Sequence, residues 1–247
     1  MRAPRFLIGY SCCGVTREAF ERQGVEAWTC DVRPARDGSP RHLQCDIWDV
    51  AEDDWDGGLF HPMCTYLTVS AAWAFNDPDY DRYPGVGYHQ KIKPGTLTGE
   101  ARREARREAI KGFRRILDLP YPKAIENPGA SFISKAIRPA DQLIQPYQFG
   151  DDASKLTGLW LDRLPPLTPT KRIPGRVVNG KERWANQTDS GQNRVSPSED
   201  RWLERSETYA GIAAAMGGQW GRWLMDGAPA MARTLFAFAP EQQEAEG

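Results

Sequence analysis

Short apolar runs alternate with amphipathic stretches through the first half of the chain, and this pattern predicts βαβ units. "RFLIGY" (5–10) reads as a buried strand. "GVTREAFERQG" follows, with Val15, Ala19 and Phe20 on one helical face and Gly24 as its stop. "VEAWTC" (25–30) predicts a second strand closed by Asp31, and "HLQCDIWDV" a third with Asp46 near its end. "DWDGGLFHP" and "YPKAIENPG" hold a fourth and a fifth, the fifth ending at Glu126. Between them, Ala105, Ala109, Ile110, Phe113, Ile116 and Leu117 form a helical stripe, with Thr98 at the N-cap position.

Farther along, "DQLIQPYQF" and "TGLWLDRL" have strand character. Residues 165–197 carry Pro, Gly, Asn, Ser and basic residues without periodicity and read as a long loop. A last helix is predicted in "SETYAGIAAAMGGQWGRWLMDG", before a frayed tail. The expected organisation is one α/β unit over 1–164, a basic loop insertion over 165–197, a helical segment over 198–235 completing the same unit, and a flexible tail over 236–247.

A chain of 247 residues with 40% hydrophobic and 26% charged residues can bury a sizeable core. A net charge of -1 excludes an overall polycation, so affinity for nucleic acid would rest on local basic patches. No run has the apolar length of a membrane span, and the opening residues do not read as a signal peptide. The five cysteines all fall in the first quarter and lack zinc-ligand spacing, which predicts reduced thiols in a cytoplasmic protein and no metal site.

The candidate chemistry gathers at strand ends. "IGYSCCGVTREAF" is strand, small-residue loop, helix, where Gly9 and Gly14 would let backbone approach a nucleotide-like ligand. Asp31, at the next strand end, is placed to accept ribose hydroxyls, and Asp46 to accept an adenine amino group. The alternative is a tight turn with two surface aspartates. Cys64, in "FHPMC", leaves an apolar run for a polar loop; such a cysteine serves either as a small buried hydrophobe or as a nucleophile. Glu126, in "AIENPG", holds a carboxyl close to the core, as a loop carboxylate or as an acid.

Taken together, these segments resemble the DNA cytosine-5 methyltransferases, most closely the compact set encoded by bacteriophages and prophages. "LIGYSCCGVTREAF" resembles the S-adenosylmethionine motif, "HPMC" the Pro-Cys nucleophile motif and "IENP" the Glu-Asn-Val motif. "SPSEDRWLERSETYAGIAAAMGGQWG" resembles the closing segment of the phage group. The resemblance implies a Rossmann-like class I S-adenosylmethionine-dependent fold, mostly parallel and flanked by helices. It implies that S-adenosyl-L-methionine is held by Gly9, Tyr10, Ser11, Gly14, Asp31, Asp46 and Pro62. It makes Cys64 and Glu126 the catalytic pair and puts Asn127 and Lys155 beside the substrate. Departures are Met63, Pro128 and a single cation, Lys155, where the family carries an arginine pair.

The large recognition domain of that family is absent, and the basic loop stands in its place. There Lys171, Arg172, Arg176 and Arg183, with Trp184 among them, would hold phosphates and a base, or else form a solvated loop. The arginine-rich helix after Thr98 interleaves Glu100, Glu104 and Glu108 and reads as a solvated, internally paired face.

The leading expectation is methyl transfer to carbon 5 of cytosine in DNA through a Cys64 adduct at carbon 6. One alternative keeps the chemistry on a cytosine nucleotide or single strand, or with a modified donor. Another is a non-catalytic DNA- or cofactor-binding relative.

Overall fold

β1 (Arg5–Gly9) is an inner strand of a sheet in the order β3-β2-β1-β4-β5-β7-β6. The computed structural model describes residues 2–89, 91–194 and 208–227. β2 (Glu26–Cys30), β3 (His42–Leu43), β4 (Gly57–Phe60) and β5 (Lys123–Pro128) all run parallel to β1. β7 (Thr157–Asp162) pairs antiparallel with β5, and β6 (Gln142–Ile144) antiparallel with β7. This is the mostly parallel α/β sheet that the strand–helix alternation predicts, compatible with a Rossmann-like fold.

Strand alternation sorts the apolar side chains into two layers. Phe6, Ile8, Leu59, Ala124 and Leu159 face α1 (Val15–Glu21) and α4 (Ala210–Met216). Leu7, Phe60, Ile125 and Trp160 face α2 (Gly99–Leu117), in a layer that also takes in Ile133 of the short α3 (Ile133–Ala136). Phe20 of α1 stacks on Phe6 with ring centroids 4.1 Å apart, and Phe113 of α2 meets Trp160 edge-on at 5.4 Å. All four rings are fully buried, each contributing about 2 kcal/mol or more. Ile212, Met216 and Trp220 bring α4 and the π-helical turn after it (Gly217–Gly221) onto the α1 layer, so the last helix packs beside the first, as expected.

Three elements differ from the sequence reading. The third strand keeps only His42–Leu43, because Asp46 then accepts from Trp48 N–H and caps a 3₁₀ turn. The long loop contains a hairpin, β8 (Arg176–Val178) with β9 (Lys181–Arg183), turned at Asn179-Gly180. Thr98 holds the N-cap position of α2 without a side-chain cap bond. Of the closing segment, residues 195–207 lie outside the described residues, as does the predicted tail.

Candidate functional site

Because β1 to β5 are parallel, their carboxyl ends share one edge of the sheet, and the strand order reverses there between β1 and β4. That edge receives the Gly9–Gly14 loop, Asp31, Asp46, the His61–Cys64 segment and Glu126–Asn127. β7 runs the other way, so Lys155, just before Thr157, arrives at the same edge.

The β4–β5 register pairs Phe60 with Ile125, and the next residues in phase are His61 and Glu126. Both project on the α4 side of the sheet. His61 Nδ1 lies 2.7 Å from Glu126 Oε2, and Lys155 Nζ lies 4.0 Å from Oε1. The two side chains are only 12% and 14% exposed. Burial pushes the Glu126 carboxyl up, but the Lys155 charge and the His61 bond and charge outweigh it and hold the group down at about 2. Glu126 is therefore a buried, ionised acceptor at neutral pH. It lines a narrow cleft with Lys155, Thr157, Thr208, Tyr209, Ile212 and Met216. A wider depression lined by Glu21, Gly24, Glu26 and Arg41 lies at the opposite, amino edge, away from these groups.

Cys64 lies three residues beyond His61, on an exposed turn whose carbonyl accepts from Leu67 and Thr68 N–H, each at 3.0 Å. The turn at Cys64 is not continued into a helix, and the next helical residues are the 3₁₀ turn Ala72–Phe75. Four bonds hold the turn. Asn127 Nδ2 donates to Pro62 O at 2.9 Å. Phe132 N–H donates to Leu67 O at 2.7 Å. From α2, Arg102 donates to Thr65 O at 3.3 Å and Arg106 to Tyr66 O at 3.1 Å.

The α2 arginines thus correct the solvated-face reading in part. Glu100, Glu104 and Glu108 do pair with Arg103, Arg107 and Lys111 in the exposed row. Arg102, however, is buried against Phe75, and Arg106 lies between Phe75 and Phe132. Both guanidinium groups support the turn that carries Cys64, and neither was singled out by the sequence. His61 was also missed; its signal was its phase, two residues after Leu59 on the same strand face.

At the first loop, Tyr10 takes a positive φ of 59° and Ser11 N–H donates to Cys30 O at 3.0 Å. Burial holds the Tyr10 hydroxyl well above its ordinary range. The space beside the two glycines is used by the chain itself. A Cβ on Gly9 would meet the Phe60 ring at 2.6 Å, and one on Gly14 would overlap the Asp37 carboxylate, which pairs with Arg17. Asp31 is buried at the tip of β2, where it accepts from Arg33 N–H at 3.0 Å and from its guanidinium at 3.1 Å. Asp46 is exposed at the tip of β3. Between them, Cys30 Sγ lies 3.9 Å from Cys45 Sγ, and burial pushes the Cys30 thiol up to about 12. Two strand-tip carboxylates beside the order reversal are acceptors suited to an adenosyl group's hydroxyls and amine.

The basic segment is built by stacking and by its own ion pairs. Trp184 stacks on Tyr147 at 4.0 Å, is 8% exposed and donates to Ile173 O, so the ring expected to hold a base is already covered. Arg172 pairs with Glu182, Arg176 with Asp189 and two carbonyls, and Arg183 donates to Glu182 O and Asp189 O. Lys171 is exposed. Asn186 ties the hairpin to Ser154 by two bonds of 2.9 Å, which roots it beside Lys155.

Among the described residues no group of three or more His, Cys, Asp or Glu side chains gathers as metal ligands, and no helix is long and apolar enough to cross a membrane. No protein-family model matches the chain, and no curated protein matches it.

Proposed function

We propose that this chain is a Rossmann-like, S-adenosylmethionine-dependent transferase that modifies carbon 5 of cytosine in DNA. The observation that carries the reading is the coupling of an exposed thiol to a buried acid at one sheet edge. Asn127 ties the Cys64 segment to β5 through Pro62, and His61 ties it again through Glu126. Carbon 5 of cytosine is a poor nucleophile until a thiolate adds at carbon 6. Cys64 is the group that adds, and Glu126 faces ring nitrogen 3, where charge develops.

S-adenosyl-L-methionine, when bound, supplies the electrophilic carbon; Asp31 and Asp46 would hold its hydroxyls and amine at the tips of β2 and β3. Tyr10, Ser11 and Pro62 would border that region, whereas the space beside Gly9 and Gly14 is taken by Phe60 and by the Asp37–Arg17 pair. A base reaching Glu126 must be unstacked from its neighbours, and the cleft, of about 10 Å³, must widen to admit it. Asn127 acts at one remove, by holding Pro62, while Lys155 keeps the carboxyl ionised until substrate arrives. Lys171, Arg172, Arg176 and Arg183 give the hairpin its positive charge for the phosphate backbone.

Incubation with donor labelled on the transferred carbon tests this, using duplex DNA, single strands and cytosine nucleotides in parallel. Label is expected on DNA with the wild type and none with Cys64→Ala. A second reading, the same chemistry on single strands or nucleotides, is favoured by the small, self-paired hairpin that stands where a recognition domain would be. Label confined to those substrates would select it. Donor binding that survives Cys64→Ala with no transfer to any substrate by the wild type would sink both.

A further inference from the structure

We propose that His61 is a positioning residue that shares one proton with Glu126 and delivers it to the carboxyl as Cys64 adds to the pyrimidine. This rests on the function proposed above and deepens it at the same site. His61 continues the β4 register directly opposite Glu126 and meets it at 2.7 Å. Its backbone N–H donates to Gly9 O at 3.1 Å, which fixes the residue to β1 as well. Its other ring nitrogen, Nε2, is buried with no hydrogen-bond partner among the described residues, so the imidazole's polar contact is with Glu126. Among the described residues, the other charged group beside the pair is Lys155, at 4.0 Å and outside hydrogen-bond range of the carboxyl; Tyr209 lines the same cleft. Cys64 and Tyr66 are titratable groups near the start of the loop that His61 begins.

The chemistry demands a proton here. Ring nitrogen 3 of cytosine is an acceptor, and an ionised carboxylate facing it offers only lone pairs. With one proton between them, the two side chains are either imidazolium with carboxylate or imidazole with carboxylic acid. Entry of a planar base expels water and favours the uncharged arrangement, without exchange with solvent. The Cys64 thiolate pair then forms the Sγ–C6 bond, and the C5–C6 π pair shifts through C4 onto nitrogen 3. The N3–H bond forms as the Glu126 O–H bond breaks. On elimination the Sγ–C6 electrons return to sulfur and the N3 proton returns to the pair.

The test needs no donor: after addition at C6, C5 takes up a solvent proton, its tritium leaves as the hydrogen cation to base, and elimination restores the ring. Tritium release from DNA carrying [5-³H]cytosine, with no donor present, is followed across the range in which imidazoles titrate. Wild-type exchange is expected to rise as the thiol ionises and to fall again as the His61–Glu126 pair loses its proton. His61→Gln keeps a donor to the carboxylate but has no proton to give. It is expected to lose the falling limb and to be slowed about 10²-fold at neutral pH. Lys155→Met is expected to keep the falling limb. A His61→Gln profile superimposable on the wild type overturns the inference, and so does loss of the limb in Lys155→Met alone. His61→Asn replaces His61→Gln if the latter does not fold, as judged by its unfolding transition. Wild-type label transfer with an unaltered His61→Gln profile removes this inference only, whereas no transfer and no exchange by the wild type removes the function beneath it.

Discussion

Asn127, at the end of β5, donates its amide to the carbonyl of Pro62 at 2.9 Å and thereby fixes the segment that carries Cys64 to the strand that carries Glu126. The residue is 2% exposed, and its own Oδ1 is buried without a partner among the described residues. The amide is thus buried for the sake of one bond.

Asn127→Ala should leave the Pro62 carbonyl unsatisfied and cost about 1–3 kcal/mol of stability. It should also lower transfer while leaving Cys64 and Glu126 in the chain. Denaturant unfolding and the labelled-donor assay check the two effects together. A variant of full activity would show that the thiol is positioned by other contacts.

Arg102 makes a second prediction. It is 5% exposed, donates to Leu97 O and Thr65 O, and sits 4.7 Å from the centre of the Phe75 ring. Arg102→Met keeps much of the volume but removes two charged hydrogen bonds, each worth about 1.5–3 kcal/mol. The 64–97 segment should become more open to limited proteolysis, with cleavage inside it preceding cleavage of β1 to β5. Equal cleavage of the variant and the wild type would refute the anchoring role.

These two residues also show where sequence reading stops. Strand alternation was legible because β1, β4 and β5 are each buried on both faces, so apolar runs of the right length survive in the sequence. The shared edge was legible for the same reason: parallel strands end together, so Cys64 and Glu126 follow β4 and β5 at one edge. Arg102 was not, because its burial depends on Phe75, 27 positions earlier across an irregular loop. Within its own helix it is one arginine among several. Trp184 was misjudged for a like reason; its partner Tyr147 precedes β7, and no local period joins them. The third strand is short because Asp46 caps a 3₁₀ turn at Trp48 instead of extending the pairing beyond Leu43. His61 was legible in principle, since a histidine in phase with Leu59 at a strand tip must face whatever ends the neighbouring strand.

The last prediction concerns acid. Glu126 stands at about 2, against an ordinary carboxyl value of 4.5, because Lys155 and His61 outweigh the cost of burying it. A carboxyl held lower in the folded than in the unfolded chain contributes stability that is fully present above the unfolded value. That contribution is lost as pH falls through the folded one. The window therefore runs from about 4.5 down to about 2, and the difference corresponds to roughly 3 kcal/mol at neutral pH. Glu126→Gln keeps the shape and removes the charge, so it should be less stable than the wild type by that order at pH 7. Denaturant unfolding of both chains at several pH values should show the gap closing through the window, since the protonated wild type then resembles the variant. Asp162, also held low by Arg163 and Lys123, is common to both chains and cancels in the difference. A gap that stays constant with pH would mean that Glu126 is not ionised against its two cationic partners, and the pairing that organises this edge would have to be redrawn.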